Sequence, residues 1–275
     1  MTLQIYKPTF PLDRFIEHMV YYEGLSTPHN LDRFLPDGNT ELIINLSESP
    51  QFIYDNESLQ EIQTCCQGWV SGVRTQPITI PSGKDSRMLI VAFKKGKGFP
   101  FYRLSMRELT DVVVEANLVF GRSFDDLRDQ LLTARSVDRM FQLVEGFLLR
   151  QSGDAIEDSI SARCVEYALL GIVHCPTGQY LHQLSDRIGY SQKHFIQLFK
   201  DQVGVSPKQY LRIMRFQKAI AAIENHAFIS WSILALECGF YDQAHFINDF
   251  KYFSGFTPNA YVTRKSTLLN YIPVD

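Results

Sequence analysis

Ser191–Tyr210 reads SQKHFIQLFKDQVGVSPKQY, and 51 residues later Asp242–Tyr261 reads DQAHFINDFKYFSGFTPNAY. Nine of the twenty aligned positions are identical: Gln192/Gln243, His194/His245, Phe195/Phe246, Ile196/Ile247, Phe199/Phe250, Lys200/Lys251, Gly204/Gly255, Pro207/Pro258 and Tyr210/Tyr261. Upstream, Gly189-Tyr190 corresponds to Gly239-Phe240 at an offset of 50, so the second copy carries one more residue in its turn, near Tyr241. Self-similarity this dense marks a duplicated structural unit.

Both copies have one physical layout. An amphipathic helix comes first, Tyr180–Arg187 in one copy and Ser230–Cys238 in the other. A glycine, Gly189 or Gly239, follows, and glycine takes positive φ at a helix end without a steric penalty. Ser191 and Asp242 are suited to cap the next helix. The pairs Phe195/Phe199 and Phe246/Phe250, spaced i, i+4, share a face and predict an inward stripe. Gly204 or Gly255 stops the helix, with Pro207 or Pro258 beyond. Helix, glycine turn and capped second helix is the helix-turn-helix unit. Its second helix enters the major groove with N-terminal residues on base edges. Between the copies, Pro207–Glu224 reads as one continuous helix of roughly 27 Å at 1.5 Å per residue. Successive major grooves on one DNA face are ~34 Å apart. A rod of that length sets two recognition helices about one turn apart, so that a single chain spans two adjacent half-sites.

The first half of the chain differs in kind. Glu41–Leu46, Gln51–Tyr54, Trp69-Val70, Ile78–Ile80 and Met88–Phe93 are short apolar or alternating runs separated by Pro36-Asp37-Gly38, Ser49-Pro50, Gly72, Pro77 and Pro81-Ser82-Gly83. Such spacing predicts a sandwich or small barrel. One helix is expected before them, from Pro11 or Leu12 to about Tyr21, because Phe15, Met19 and Tyr22 recur at helical spacing. From Asp125 the pattern turns helical: Leu127, Leu131 and Leu132 share one face, and Val137, Phe141, Val144, Phe147 and Leu148 share another. The break at Thr133–Ser136 predicts a helical hairpin, and Gln151–Asp158 is the candidate linker. From Ser159 onward only helix patterns and turns are read. The expected class is therefore α+β, with a β-rich sensor domain at 1–120, a helical hairpin and linker at 121–158, and a tandem helix-turn-helix domain at 159–275.

Composition agrees with a soluble globular protein of about two domains. The chain has 275 residues, 45% hydrophobic and 21% charged, with a net charge of −3. Residues 1–158 hold 16 Lys and Arg against 22 Asp and Glu, whereas residues 159–275 hold 11 against 8. Only the second half leans basic, as a polyanion-binding domain would. No apolar run approaches the ~18–20 residues of a membrane span, and MTLQIYKPTF has no signal-peptide pattern, so the expected location is the cytoplasm. The odd count of five cysteines argues for reduced thiols over a disulfide framework.

The stretch Ala235-Leu236-Glu237-Cys238-Gly239-Phe240, then Phe246 to Phe250-Lys251, then Gly255-Phe256-Thr257-Pro258 resembles the signature of the AraC/XylS family of bacterial transcription regulators, and the resemblance runs from about Ile160 to Tyr261. Leu35–Ile43 (LPDGNTELI) and Arg107–Asp111 (RELTD) are similar to the β-rich, cupin-like N-terminal region of some such regulators. The family implies binding of double-stranded DNA beside promoters, RNA polymerase as a partner, a sensor or dimerisation domain in front, and a lean towards activation. It implies base-facing roles for Lys193, Ile196 and Gln197 in the first recognition helix and for Ala244, His245 and Asn248 in the second. Helix geometry agrees, since these lie opposite the Phe pairs and near the N-termini. Gln192 and Gln243 suit adenine edges or phosphate, and Lys200 and Lys251 suit phosphate. Gln197 and Asn248 stand where many relatives carry Arg, which points to an A·T-rich or shape-read site. Val262 likewise replaces a commonly basic residue, with Arg264 and Lys265 following closely.

Other chemistries find no support in the residues. No His-x-His plus Glu set, Walker spacing, Gly-x-Ser-x-Gly elbow or Cys-rich zinc cluster occurs, so neither an enzyme nor a cofactor is expected. Lys94–Gly98 (KKGKG) reads as a basic turn after a strand. Cys65-Cys66 reads as inert thiols and not as a redox sensor. His194 and His245 read as packing or capping groups and not as metal ligands. The expected function is a sequence-specific DNA-binding activator governed by a small-molecule effector in the N-terminal domain, with Trp69 and Arg74 as pocket guesses. The alternative is a non-enzymatic small-molecule binder whose helical domain docks a protein. The Asp125–Arg150 hairpin is expected either to form a homodimer contact or to pack on its own barrel.

Overall fold

The structure, a computed structural model, describes residues 1–102, 104–153, 159–176, 189–225, 230–266 and 268–275. The expected helix Tyr180–Arg187 lies outside the described residues, as does 154–158 of the expected linker.

The N-terminal half is two antiparallel sheets. Its strands are β1 (Thr2–Tyr6), β2 (Ile16–Glu23), β3 (Leu31–Phe34), β4 (Glu41–Asn45), β5 (Gln51–Tyr54), β6 (Glu61–Cys65), β7 (Gly68–Ser71), β8 (Ile78–Pro81), β9 (Arg87–Phe93) and β10 (Val113–Glu115), and the C-terminal tail adds β11 (Tyr271–Pro273). The first sheet runs β1-β2-β9-β4-β7-β10 and the second β11-β3-β8-β5-β6. The five strand runs read from the sequence correspond to β4, β5, β7, β8 and β9.

The helix expected from Pro11 to Tyr21 is not there. Leu12–Arg14 makes one 3-10 turn, and Ile16–Glu23 is a strand between β1 and β9. On β2, Met19 and Tyr21 enter the core shared with the helices, while Val20 and Tyr22 on the opposite face are half-buried, so apolar residues occupy both faces and imitate helical spacing. The β-branched and aromatic run Val20-Tyr21-Tyr22 decides for a strand.

One face of the first sheet packs on helices α1 (Ala116–Phe120), α2 (Arg122–Leu132) and α3 (Val137–Ser152). Met19, Leu42, Ile44, Val70, Leu89 and Val91 from the sheet share one core with Phe124, Leu127, Leu131, Phe141, Val144 and Phe147 from the helices. The hairpin therefore buries both apolar stripes on its own barrel, and the stripes that suggested a dimer contact are already covered. Leu132 is the exception, 40% exposed and off the buried face. Gln151 and Ser152 belong to α3 and not to a linker.

The helical half contains α4 (Ile160–His174), α5 (Gln192–Val203), α6 (Pro207–Asn225), α7 (Trp231–Glu237), α8 (Gln243–Ser254) and α9 (Pro258–Arg264). The rod expected at Pro207–Glu224 is α6, 19 residues long. Its Tyr210, Ile213, Phe216, Ala219, Ile220 and Ile223 are buried in a core that also takes Leu35, Val73 and Ile272 from the sheets. The two halves thus share one core. Where the sequence shows only helix patterns, β11 returns to pair with β3, Tyr271 against Phe34 and Pro273 against Asp32.

Candidate nucleic-acid interface

The duplicated unit is built as its sequence dictates. Ser191 caps α5 by accepting from the His194 amide at 3.3 Å, and Asp242 caps α8 by accepting from the His245 amide at 2.7 Å. The preceding glycines, Gly189 at φ +74° and Gly239 at φ +84°, both take the left-handed turn. Aromatic rings repeat as well: Tyr190 packs on His194 with centroids 4.8 Å apart, and Phe240 packs on His245 at 5.4 Å. Both histidines therefore act as packing groups in their turns. Among the described residues no cluster of His, Cys, Asp and Glu could hold a metal ion.

The inward stripes are as expected. Phe195, Phe199, Phe246 and Phe250 are buried, and Trp231 stacks on Phe246 while its Nε1 donates to Asn259 Oδ1 at 2.9 Å. Opposite them, Gln192, Lys193 and Gln197 on α5 and Gln243, Ala244, Asn248 and Lys251 on α8 are exposed. Ile196, Lys200 and His245 are half-buried. The polar face of each second helix is thus open, and the Phe pairs fix which way it points.

Two of the named residues are already engaged. His245 accepts from the Tyr241 amide through Nδ1 at 3.4 Å, and its Nε2 stands 3.6 Å from Asp249 Oδ2. The Gln197 amide donates to both oxygens of Asp201, at 3.1 and 3.2 Å. Asp201 in turn accepts from the Ser105 hydroxyl at 2.8 Å and lies 3.7 Å from Arg107 Nε. Gln197, expected from the sequence to face bases, is therefore linked through one carboxylate to the N-terminal half.

Tyr241, the inserted residue of the second copy, projects from the turn into α8 and is 86% exposed. The sequence marked it as an insertion, but its place beside the helix N-terminus makes it a candidate contact that spacing alone did not name. Behind α8, Arg212 on α6 donates to the buried Asp249 through Nε at 3.3 Å and Nη2 at 2.8 Å. That hydrogen bonding holds the Arg212 guanidinium above its ordinary pKa. The rod α6 and helix α8 are locked together there.

The two N-terminal motifs, Leu35–Ile43 and Arg107–Asp111, form the seat of the helical half. Tyr210 Oη donates to Gly38 O at 3.3 Å, and Gln217 Nε2 donates to Pro36 O at 2.8 Å. The basic turn Lys94–Gly98 contributes Lys97, paired with Glu166 on α4, and Lys95, whose Nζ donates to Asp37 O at 2.8 Å. Of the pocket guesses, Trp69 lies on the inner face of the first sheet against Ile53, Cys65 and Ile78. Arg74 is instead half-buried, and its Nη2 reaches Asp111 O at 3.4 Å. Burial pushes the Cys65 thiol up to about 12, which disfavours its thiolate form. Among the described residues no helix is long and apolar enough to cross a membrane.

Comparisons with known proteins fall on the same two halves. Residues 184–264 match a family described as a helix-turn-helix domain, and residues 4–115 match a domain of unknown function, DUF6597. Among solved structures, ToxT from Vibrio cholerae is similar over 95% of this chain and 97% of its own, at 9% identity and a TM-score of 0.45. A structure of ToxT from the same organism with an unsaturated fatty acid bound covers 95% of this chain and 94% of its own, at 11% identity and a TM-score of 0.45. ToxT bound to (E)-4-(8-methylnaphthalen-1-yl)but-3-enoic acid covers 96% and 99%, at 10% identity and a TM-score of 0.43. No curated protein matches the chain.

Proposed function

Because this chain carries a helix-turn-helix domain of the AraC type behind a DUF6597 domain, we propose that it is a sequence-specific transcriptional regulator whose two recognition helices, α5 and α8, read neighbouring major-groove segments of one promoter. The observation that carries this reading is the doubled geometry: two capped helices with exposed polar N-terminal faces, joined through a 19-residue rod. In this reading Lys193, Gln197, Ala244 and Asn248 face base edges, His245 and Ile196 flank them, and Gln192, Gln243, Lys200 and Lys251 hold phosphate or adenine edges. It acts in the cytoplasm, beside RNA polymerase, as an activator. A dimer, where one forms, uses a surface other than the buried hairpin stripes.

The N-terminal sheets hold the effector. A ligand there reaches the DNA face through a continuous mechanical route: the shared core around Leu35, Val73 and Ile272, and the Ser105–Asp201–Gln197 chain. It shifts the regulator only by favouring one arrangement of that seam over another.

Fluorescence anisotropy with labelled promoter fragments tests the reading. Binding that falls steeply with salt, as released counterions require, and that weakens in a Lys200→Ala, Lys251→Ala double variant supports it. Unchanged binding by that variant overturns the assigned face, and no binding to any promoter fragment at low salt overturns the function.

A further inference from the structure

The two helix-turn-helix units are duplicates, yet they hold the amide at one repeat position differently. Gln197 on α5 and Asn248 on α8 correspond at the offset of 51 residues, and both are exposed, opposite the buried Phe pairs. One turn beyond Gln197 stands Asp201, an i, i+4 neighbour on the same face. One turn beyond Asn248 stands Tyr252, so the second unit has no acid there.

The Gln197 nitrogen donates to Asp201 Oδ1 at 3.2 Å and to Oδ2 at 3.1 Å. A carboxylate only accepts. A glutamine amide that is free to turn can present either end, but beside Asp201 the nitrogen must face the carboxylate and Oε1 is the end left over. Asp201 lies on the C-terminal side of Gln197, so the nitrogen is drawn away from the helix N-terminus, the part of a helix in the major groove that meets base edges.

A Gln–Asp pair one turn apart on an exposed face is by itself a weak contact. Here the carboxylate is anchored from its far side. Ser105 Oγ donates to Asp201 Oδ1 at 2.8 Å, and Arg107 Nε lies 3.7 Å from the same oxygen. Ser105 precedes, and Arg107 lies within, the 3-10 turn Met106–Leu109, whose Met106 and Leu109 are buried in the core of the first sheet. Three residues after Asp201, the Gly204 carbonyl accepts from Thr110 at the far end of that turn. Turn and helix are thus fixed to each other at two points. Asp201 orients the amide and does not follow it.

The orientation decides what Gln197 can read. A free amide reads adenine with both ends, accepting from N6 and donating to N7, and its nitrogen can also donate to guanine O6 or N7 and to thymine O4. With the nitrogen occupied only acceptance remains. In the major groove the donors are adenine N6 and cytosine N4, whereas guanine and thymine would set acceptor against acceptor.

We propose that Gln197 recognises an exocyclic amino group, N6 of adenine or N4 of cytosine, by accepting through Oε1 alone, and that Asp201, anchored by Ser105 and Arg107 of the N-terminal half, is the positioning residue that sets this polarity. This rests on the reading of α5 as a DNA-reading helix and names the class of base it takes. Asn248, with no acid one turn on, keeps both ends of its amide and reads adenine through N6 and N7 together. The N-terminal half thereby enters the choice of sequence at one position of the first half-site.

Anisotropy titrations of the full chain on promoter DNA test this. Single-base variants first locate the positions whose preference vanishes in Gln197→Ala and in Asn248→Ala. At each, adenine is then compared with 7-deazaadenine, which lacks the N7 acceptor, and with purine, which lacks the N6 amino group. At the Gln197 position the unaltered chain is expected to bind purine roughly tenfold more weakly and 7-deazaadenine less than about twofold more weakly. At the Asn248 position both analogues should weaken binding. Asp201→Ala frees the nitrogen, so the Gln197 position should become sensitive to 7-deazaadenine by about fivefold and discriminate less against guanine, while the Asn248 position keeps its pattern. Equal loss with both analogues at the Gln197 position of the unaltered chain, no loss with purine, no position altered by Gln197→Ala, or an unchanged pattern in Asp201→Ala overturns the assignment. Any of these in a chain that still binds promoter DNA removes this assignment alone. No binding to any promoter fragment at low salt removes the regulator reading and the assignment with it.

Discussion

The hydroxyl of Thr110 donates to the carbonyl oxygen of Gly204 at 2.9 Å, joining the end of the first recognition helix to the N-terminal half. Gly204 sits at φ +105°, and a Cβ there would lie 2.9 Å from Thr110 Oγ1 and 3.2 Å from Met106 O. Both the backbone and its surroundings exclude a side chain. Gly204→Ala is expected to cost about 1–3 kcal/mol from the left-handed backbone alone, with crowding added. Gly189→Ala, where nothing lies within 4 Å, should cost less. Urea denaturation of the two variants checks the order.

Arg212→Ala leaves the buried Asp249 carboxylate without its guanidinium. Breaking such a pair from one side costs about 3–5 kcal/mol when the survivor stays buried. Part of Arg212 is open to solvent, so the lower end of that range is expected, together with weaker DNA binding confined to the half-site read by α8. Denaturation midpoints and footprinting of the two half-sites measure both effects.

Lys251→Ala should weaken binding by a similar factor on every promoter sequence and lower the slope of log affinity against log salt by about one. Asn248→Ala should alter preference at one base position by about 1–3 kcal/mol and leave the salt slope unchanged. Anisotropy titrations over a salt series with a panel of single-base variants tell the two outcomes apart.

Stability should depend on pH through Glu41. Burial and then Asp37 raise its carboxyl to about 8 from 4.5. The folded chain therefore holds a proton that the unfolded chain gives up. Stability is fullest below the unfolded value and falls as pH rises towards 8, by up to ~1.4 kcal/mol per pH unit, and then levels. Asp32 and Asp37, also raised by burial, add the same sign. Glu41→Gln should flatten this profile in melting curves recorded between pH 5 and 8.5.

The helix-turn-helix half was legible because its rules are local. A cap, a glycine turn and an i, i+4 Phe pair lie within a dozen residues of one another, and the duplication displayed each of them twice. The central strands β4 and β9 were legible as dense apolar runs. β2 was not, because apolar residues on both of its faces, Met19 and Tyr21 against Val20 and Tyr22, hid its alternation. β11 was not, because Tyr271-Ile272-Pro273 has no pattern of its own and becomes a strand only by meeting β3, more than two hundred residues earlier in the chain. The significance of Glu41 was hidden for a related reason: a single acid at the head of an apolar strand reads as solvent-facing until the second sheet is placed over it.

The position of β11 bears on how the protein comes to be made. Both helix-turn-helix units are complete by Arg264, whereas the second sheet gains its edge strand only when Tyr271–Pro273 has been synthesised. A nascent chain can thus finish its helix-turn-helix units before the second sheet is whole. A frameshift or stop codon soon after residue 264 would leave both helix-turn-helix units encoded, yet would strip Ile272 from the core that the two halves share and the edge strand from the second sheet.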